Sequence, residues 1–176
     1  TAAPKACAGA ASKVVAPAPA VPPGATNGGP VPTTTTLTAT IVLTPNNPAG
    51  LQSAVDGTTD PSSPGYRHFL TPAQYDAAFG ATTGQTTDVE TWASGFGLTA
   101  TSNGDGVGVD LTGAAAGFEA AFGTAFEQYT LADGTVAFAN TSAATVPASV
   151  GTEITGVEGL DGFAGSGLDR TRSRVS

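Results

Sequence analysis

One histidine, one cysteine and fourteen carboxylates carry nearly all the reactive chemistry of this 176-residue chain. A serine nucleophile needs an imidazole base, and His68 is the only candidate. It lies in the segment Tyr66-Arg67-His68-Phe69, where it reads as a local hydrogen-bonding group or a group lying against a partner. Those four residues are candidate partner contacts, and no catalytic residue is assigned. Cys7 can form no internal disulfide. A lipid anchor would require an apolar stretch before it that the sequence lacks, which leaves an incidental thiol or an intermolecular bridge. Asn103-Gly104-Asp105-Gly106 has too few ligands for an EF-hand, and Gly104 to Gly108 lacks the lysine of a phosphate loop. No metal and no cofactor is expected. Asn140-Thr141-Ser142 is a glycosylation sequon, meaningful only in a eukaryotic secretory host. The remaining chemistry is cationic: Arg170, Arg172 and Arg174 sit in a flexible stretch rich in glycine and serine, Gly162 to Ser176.

Charge narrows the partners. The net charge is −8, and between Leu37 and Asp161 a single arginine faces thirteen Asp and Glu. Nucleic acid is therefore an unsuitable partner for the folded part. A lysine-free acidic domain repels itself near neutral pH and loses that repulsion as its carboxylates protonate. The bland meaning is a surface suited to acid or salt; the functional one is a pH-sensitive interface. No run of about 18 apolar residues is present, so no membrane span is expected. Residues 1–35 hold most of the prolines, both lysines and almost no large side chain, and read as a flexible leader. The start also lacks the basic and apolar regions of a signal peptide.

The elements that position these groups follow from periodicity. Leu37, Ala39, Ile41 and Leu43 alternate with Thr38, Thr40, Val42 and Thr44, the pattern of a half-buried strand. Ala49 to Val55 suits a short helix. Asp60 to Gly65 is dense in turn formers, and Tyr66, His68, Phe69 and Leu70 read as an extended, aromatic anchor. Thr71-Pro72 caps a helix bearing Tyr75, Ala78 and Phe79 that Gly80 stops. From Thr87, Val89, Trp92, Ala93 and Phe96 mark a helix that buries the only tryptophan. Leu98–Ser102 and Val107–Leu111 form a hairpin, and Thr112 caps a helix with Ala115, Phe118, Ala121 and Phe122 on one face. Strands at Ala125–Leu131 and Thr135–Ala139, a helical turn near Val150 and a last segment at Ile154–Leu160 follow. The order strand, helix, strand, strand, helix, strand is the split βαβ pattern, in which helices cover one face of an antiparallel sheet and both crossovers are helical. The connection from Thr44 to Thr87 is longer than such a crossover needs.

Inside that connection, Asp60-Pro61-Ser62-Ser63-Pro64-Gly65-Tyr66-Arg67-His68-Phe69-Leu70 resembles the core signature of the activation propeptides of sedolisin (kumamolisin-like) serine-carboxyl peptidases. Asn47-Pro48-Ala49-Gly50-Leu51, Thr71-Pro72 with Phe79-Gly80, Gly97-Leu98, Ala120 to Thr124, Ala139-Asn140-Thr141 and Val157 to Asp161 resemble other segments of that family in the same order. The likeness covers about Leu37 to Asp161 and fades after it.

The resemblance implies an α+β, ferredoxin-like propeptide domain at 36–161, with residues 162–176 linking it to a peptidase domain. Such a propeptide helps its peptidase fold, covers the active-site cleft and is cut off on acidification. The family's catalytic serine motif, Gly-Thr-Ser-x-Ser, is absent, so the chain looks like the propeptide alone and not an enzyme. On this resemblance the linker residues Leu168, Asp169, Arg170, Thr171, Arg172, Ser173 and Arg174 are expected to run through the cleft or be cleaved there, with a solvated linker as the plain alternative. The partner is the cognate sedolisin-type peptidase, the setting secreted, and the isolated chain a monomer. The competing function is an extracellular binding module on a Pro/Thr-rich stalk.

Overall fold

A computed structural model of the chain describes residues 12–104 and 106–163. Its frame is a four-stranded antiparallel sheet of β3 (Thr36–Leu43), β4 (Thr99–Ser102), β5 (Gly108–Ala114) and β9 (Ile154–Glu158), in the order β4-β5-β3-β9. β3 occupies the middle because it alternates cleanly: Leu37, Ala39, Ile41 and Leu43 are buried. Val109 and Leu111 of β5 and Ile154 and Val157 of β9 join them on that side. The split βαβ expectation is met, with one change of strand. The fourth strand is β9, and the hairpin of β6 (Phe126–Thr130) and β7 (Val136–Asn140) leaves this sheet for another. Nor are the strands joined by each crossover neighbours: β5 lies between β3 and β4, and β3 lies between β5 and β9.

The inward face is covered by α3 (Thr83–Ser94) and α4 (Ala115–Phe122), which pack on β3, β4 and β5. Helix α4 is short and mostly apolar, and Ala115, Phe118, Ala121 and Phe122 are all buried. Phe118 and Phe122 stack with centroids 6.0 Å apart, and Trp92 meets Phe122 edge-on at 5.5 Å. Gly123 ends the helix in the left-handed region, φ 62°, which glycine reaches without a Cβ clash. Thr112, expected to cap this helix, instead lies in β5. Cross-strand pairing of Thr36 with Ala114 carries the strand three residues further, so Ala114 precedes the helix with no side-chain cap. Helix α3 begins earlier than its apolar spacing suggests, because Thr82 and Gln85 form a capping box. Trp92 is half-buried, with its indole N–H unpartnered.

Residues 12–35 correct the expected leader. β1 (Ser12–Ala16) pairs with β8 (Ala144–Pro147), and β2 (Thr26–Pro30) pairs with β6 in the second sheet, order β2-β6-β7. The segment is poor in large residues, but Val15 and Val31 are buried, which anchors two five-residue strands against a frame already built. Lys13 Nζ donates to the carbonyls of Gly151 (2.9 Å) and Ile154 (2.6 Å), closing the end of α5 (Ala148–Gly151). Pairing and burial thus offset an ordering entropy that composition alone makes look prohibitive. Residues 1–11, with Cys7, lie outside the described residues.

The long first crossover holds α1 (Pro48–Thr59) and α2 (Pro72–Phe79). Asn47 caps α1 by accepting from the Gly50 amide at 2.9 Å, and Thr71 with Gln74 forms a capping box on α2. Phe79 is buried and ties α2 down, while α1 contributes no buried residue.

Candidate partner-binding surfaces

Among the described residues, three parts offer surface chemistry to a partner. The first is the outer face of the four-stranded sheet. Opposite the covered side, Thr38, Thr40, Thr99, Thr101 and Thr112 project with Asp110 and Glu158. One cross-strand row reads Glu158, Thr40, Asp110, Thr101, and Thr40 Oγ1 donates to Asp110 Oδ1 at 2.7 Å. A shallow depression of about 530 Å³ lies over Thr38, Thr40, Asp110, Thr112 and Glu158. Strand alternation dictates this face, since Thr36, Thr38 and Thr40, followed by Val42, take every second position of β3.

The second part is the connection from α1 to α2. It is a chain of tight turns held by its own backbone and short side chains. Asp60 Oδ1 accepts from the Ser62 amide and hydroxyl at 2.8 and 2.7 Å, and Ser63 Oγ accepts from the Gly65 amide at 3.1 Å. The amides of Ser63, Tyr66 and His68 each donate to the carbonyl three residues back, at 3.0 Å. The Ser62 hydroxyl, and then its amide, hold the Asp60 carboxyl below its ordinary value of 3.8. Arg67 stands in the left-handed region at φ 61°, its amide donating to Thr58 O at 3.0 Å. The expected extended anchor is therefore absent: Tyr66, Arg67, His68, Phe69 and Leu70 are all exposed, and Phe69 is 78% exposed. The prolines and small residues satisfy the backbone locally, so no core contact is needed to hold this loop.

The third part is where the described chain ends. Asp161 makes an isolated antiparallel bridge to Ala139, and the Gly162 amide donates to Phe138 O at 2.8 Å. Phe163 meets Tyr129 edge-on at 5.4 Å. Glu127 Oε2 accepts from the Tyr129 hydroxyl at 3.1 Å and from Asn27 Nδ2 at 2.6 Å, linking this clamp to β2. Burial first, and then the Glu127 carboxylate, raise the Tyr129 phenol above its usual value. Chain leaving residue 163 therefore departs from a fixed point on the edge of β7.

The activation-domain model of pro-kumamolisin matches residues 23–163. The chain belongs to the pro-kumamolisin activation-domain family. Its members accompany a peptidase domain in a precursor as a propeptide and are not themselves the catalytic part. No match to a curated protein is significant. The match begins at residue 23, so it takes in β2, which the leader expectation had set outside the domain.

Of the residues expected to matter, Tyr66, Arg67, His68 and Phe69 fall together on one exposed loop. Leu168, Asp169, Arg170, Thr171, Arg172, Ser173 and Arg174 lie outside the described residues, as does Asp105 of the β4–β5 turn. The sheet face and the Tyr129–Phe163 clamp escaped the sequence reading. The face was visible in principle as the threonine register of β3; the clamp joins residues 34 apart and gives no local signal. Asn140, the sequon residue, is buried, and its side-chain amide donates to Pro17 O at 3.1 Å and Ser142 O at 2.8 Å. That amide therefore serves the fold.

Proposed function

We propose that this domain is the inhibitory and chaperone-like propeptide of a secreted, acid-activated peptidase of the sedolisin type, covering its active-site cleft until it is cut away. The observation that carries the reading is the family match over 23–163 on a split βαβ frame whose outer sheet face is left open by the described residues. A rigid sheet with one polar, threonine-rich face is suited to docking on a second domain, because its hydroxyls can pair with polar groups there at little conformational cost. Linker residues 164–176, starting at the Phe163 clamp, are the part delivered toward the cleft. There Leu168, Asp169, Arg170, Thr171, Arg172, Ser173 and Arg174 occupy or cross it.

Acid release follows from charge. Carboxylates outnumber cations across the domain, and that excess negative charge shrinks as pH falls. Any interface that uses those carboxylates as acceptors or ion-pair partners weakens with them. The competing reading of a binding module on a Pro/Thr-rich stalk loses its stalk, because residues 12–35 carry β1 and β2. Adding micromolar chain to the peptidase domain of its precursor at neutral pH is expected to suppress hydrolysis. Undiminished hydrolysis would contradict the proposal.

A further inference from the structure

Twelve residues of α1 contribute no buried side chain. Its inward stripe of Gly50, Leu51, Ala54, Gly57 and Thr58 is only half-buried, so the helix is lightly held and leaves Val55 facing outward. The connection that follows it adds to the deficit. Val55 is 49% exposed, Tyr66 39%, Leu70 44% and Phe69 78%, all within α1 and the loop leading to α2. Exposed apolar residues scattered singly need no explanation, but three on one loop held by its own hydrogen bonds, with Val55 on the helix before it, mark a built surface.

Two features add to this. Arg67 adopts φ 61° with a full side chain, in a loop that has Gly65 two residues away. A linker that only had to turn would favour glycine at the left-handed position, whereas here a cation is held there against steric preference. Its guanidinium lies 5.8 Å from the Tyr66 ring centre. The other described cation, Lys13, is engaged by the Gly151 and Ile154 carbonyls, so among the described residues Arg67 is the cation presented outward from an acidic surface.

We infer that Tyr66, Arg67, Phe69 and Leu70 form a docking knob that seats in an apolar recess edged by a carboxylate on the peptidase domain. This rests on the propeptide reading and adds a second attachment, distinct from the sheet face and the linker. Charge complementarity selects the occupant. Two copies of a chain of net charge −8 repel each other, while a recess with an acidic rim accepts the one cation the module offers. Phe69 is the anchor, since its ring is the most exposed of the large apolar side chains and gains most from a pocket.

The experiment measures both binding and inhibition of the precursor's peptidase domain at neutral pH by the chain, by Phe69→Ser, by Arg67→Glu and by Val136→Ser. Val136 is 64% exposed on β7, away from the module, and serves as the control. The knob predicts at least a tenfold rise in Kd for Phe69→Ser and for Arg67→Glu, with urea midpoints and Val136→Ser unchanged. Wild-type affinity retained within twofold in both knob variants overturns it. So does a wild-type dimer that Phe69→Ser dissociates, which would make the knob a contact between copies. Binding without inhibition, lost in Phe69→Ser, would sink the propeptide reading and keep the knob. Absence of any binding by the wild-type chain removes both.

Discussion

Phe122 is fully buried between the Phe118 ring and the edge of Trp92, at the centre of the core under the sheet. Truncation there removes a large apolar volume that rigid neighbours refill poorly. Phe122→Ala is expected to lower unfolding free energy by about 3–5 kcal/mol in urea titrations. Asp60 makes a different kind of contribution. Its carboxyl is held below the ordinary 3.8 by the Ser62 hydroxyl and amide, so its share of loop stability is present above that value and is lost as pH falls through the lower, folded one. NMR titration of the carboxyl carbon is expected to give a midpoint under 3.8, and Ser62→Ala to bring the midpoint back up. A midpoint at or above 3.8 in the wild-type chain would show that the turn does not hold the carboxylate. Residue-scale chemistry was partly legible from sequence. Tyr66, Arg67, His68 and Phe69, read together from sequence, share one exposed loop, while the burial of Asn140 could not be read because its partners, Pro17 and Ser142, include one 123 residues away.

Elements seat on one another through small residues as well as large ones. A Cβ on Gly117 of α4 would lie 2.8 Å from Phe96 O and 2.9 Å from Leu98 Cδ2, so α4 must approach the α3–β4 turn closely. Gly117→Ala is expected to destabilise by about 1–3 kcal/mol, despite the better helix propensity of alanine, because backbone has to shift. At the other end, Phe163→Ala removes one ring from the clamp on β7. Hydrogen exchange at the Gly162 amide, which bonds to Phe138 O, is expected to accelerate while the amides of β3 keep their protection. The regular elements were legible where periodicity was strong: β3 from its alternation, α2 from Thr71-Pro72, and the β4–β5 hairpin from its glycine turn. β1, β2 and β8 were not, since each is four or five residues long and lacks a run of large apolar residues. Their strand form depends on partners far along the chain, and local pattern carries no trace of that. Thr112 misled for the same reason: a good cap residue stayed in a strand because β3 extended its pairing.

Across the whole molecule, a split βαβ frame carries a second sheet, a covered side and a polar, open side, with the α1–α2 knob projecting from its long crossover. The signature stretch Asp60 to Leu70 pointed to the family from sequence, yet its local role differs from the anchor that Tyr66, His68 and Phe69 suggested. They face outward, and the turns beneath them are self-sufficient. On the proposed reading, the domain is an acidic wedge that meets its peptidase through groups whose charge depends on pH. Its inhibition constant against the precursor's peptidase domain, measured from neutral to acidic pH with the urea midpoint followed in parallel, tests this most directly. Tight inhibition near neutral pH that weakens at least tenfold on acidification while the domain stays folded is the expected result. Inhibition absent at neutral pH, or unchanged across the range, would contradict it.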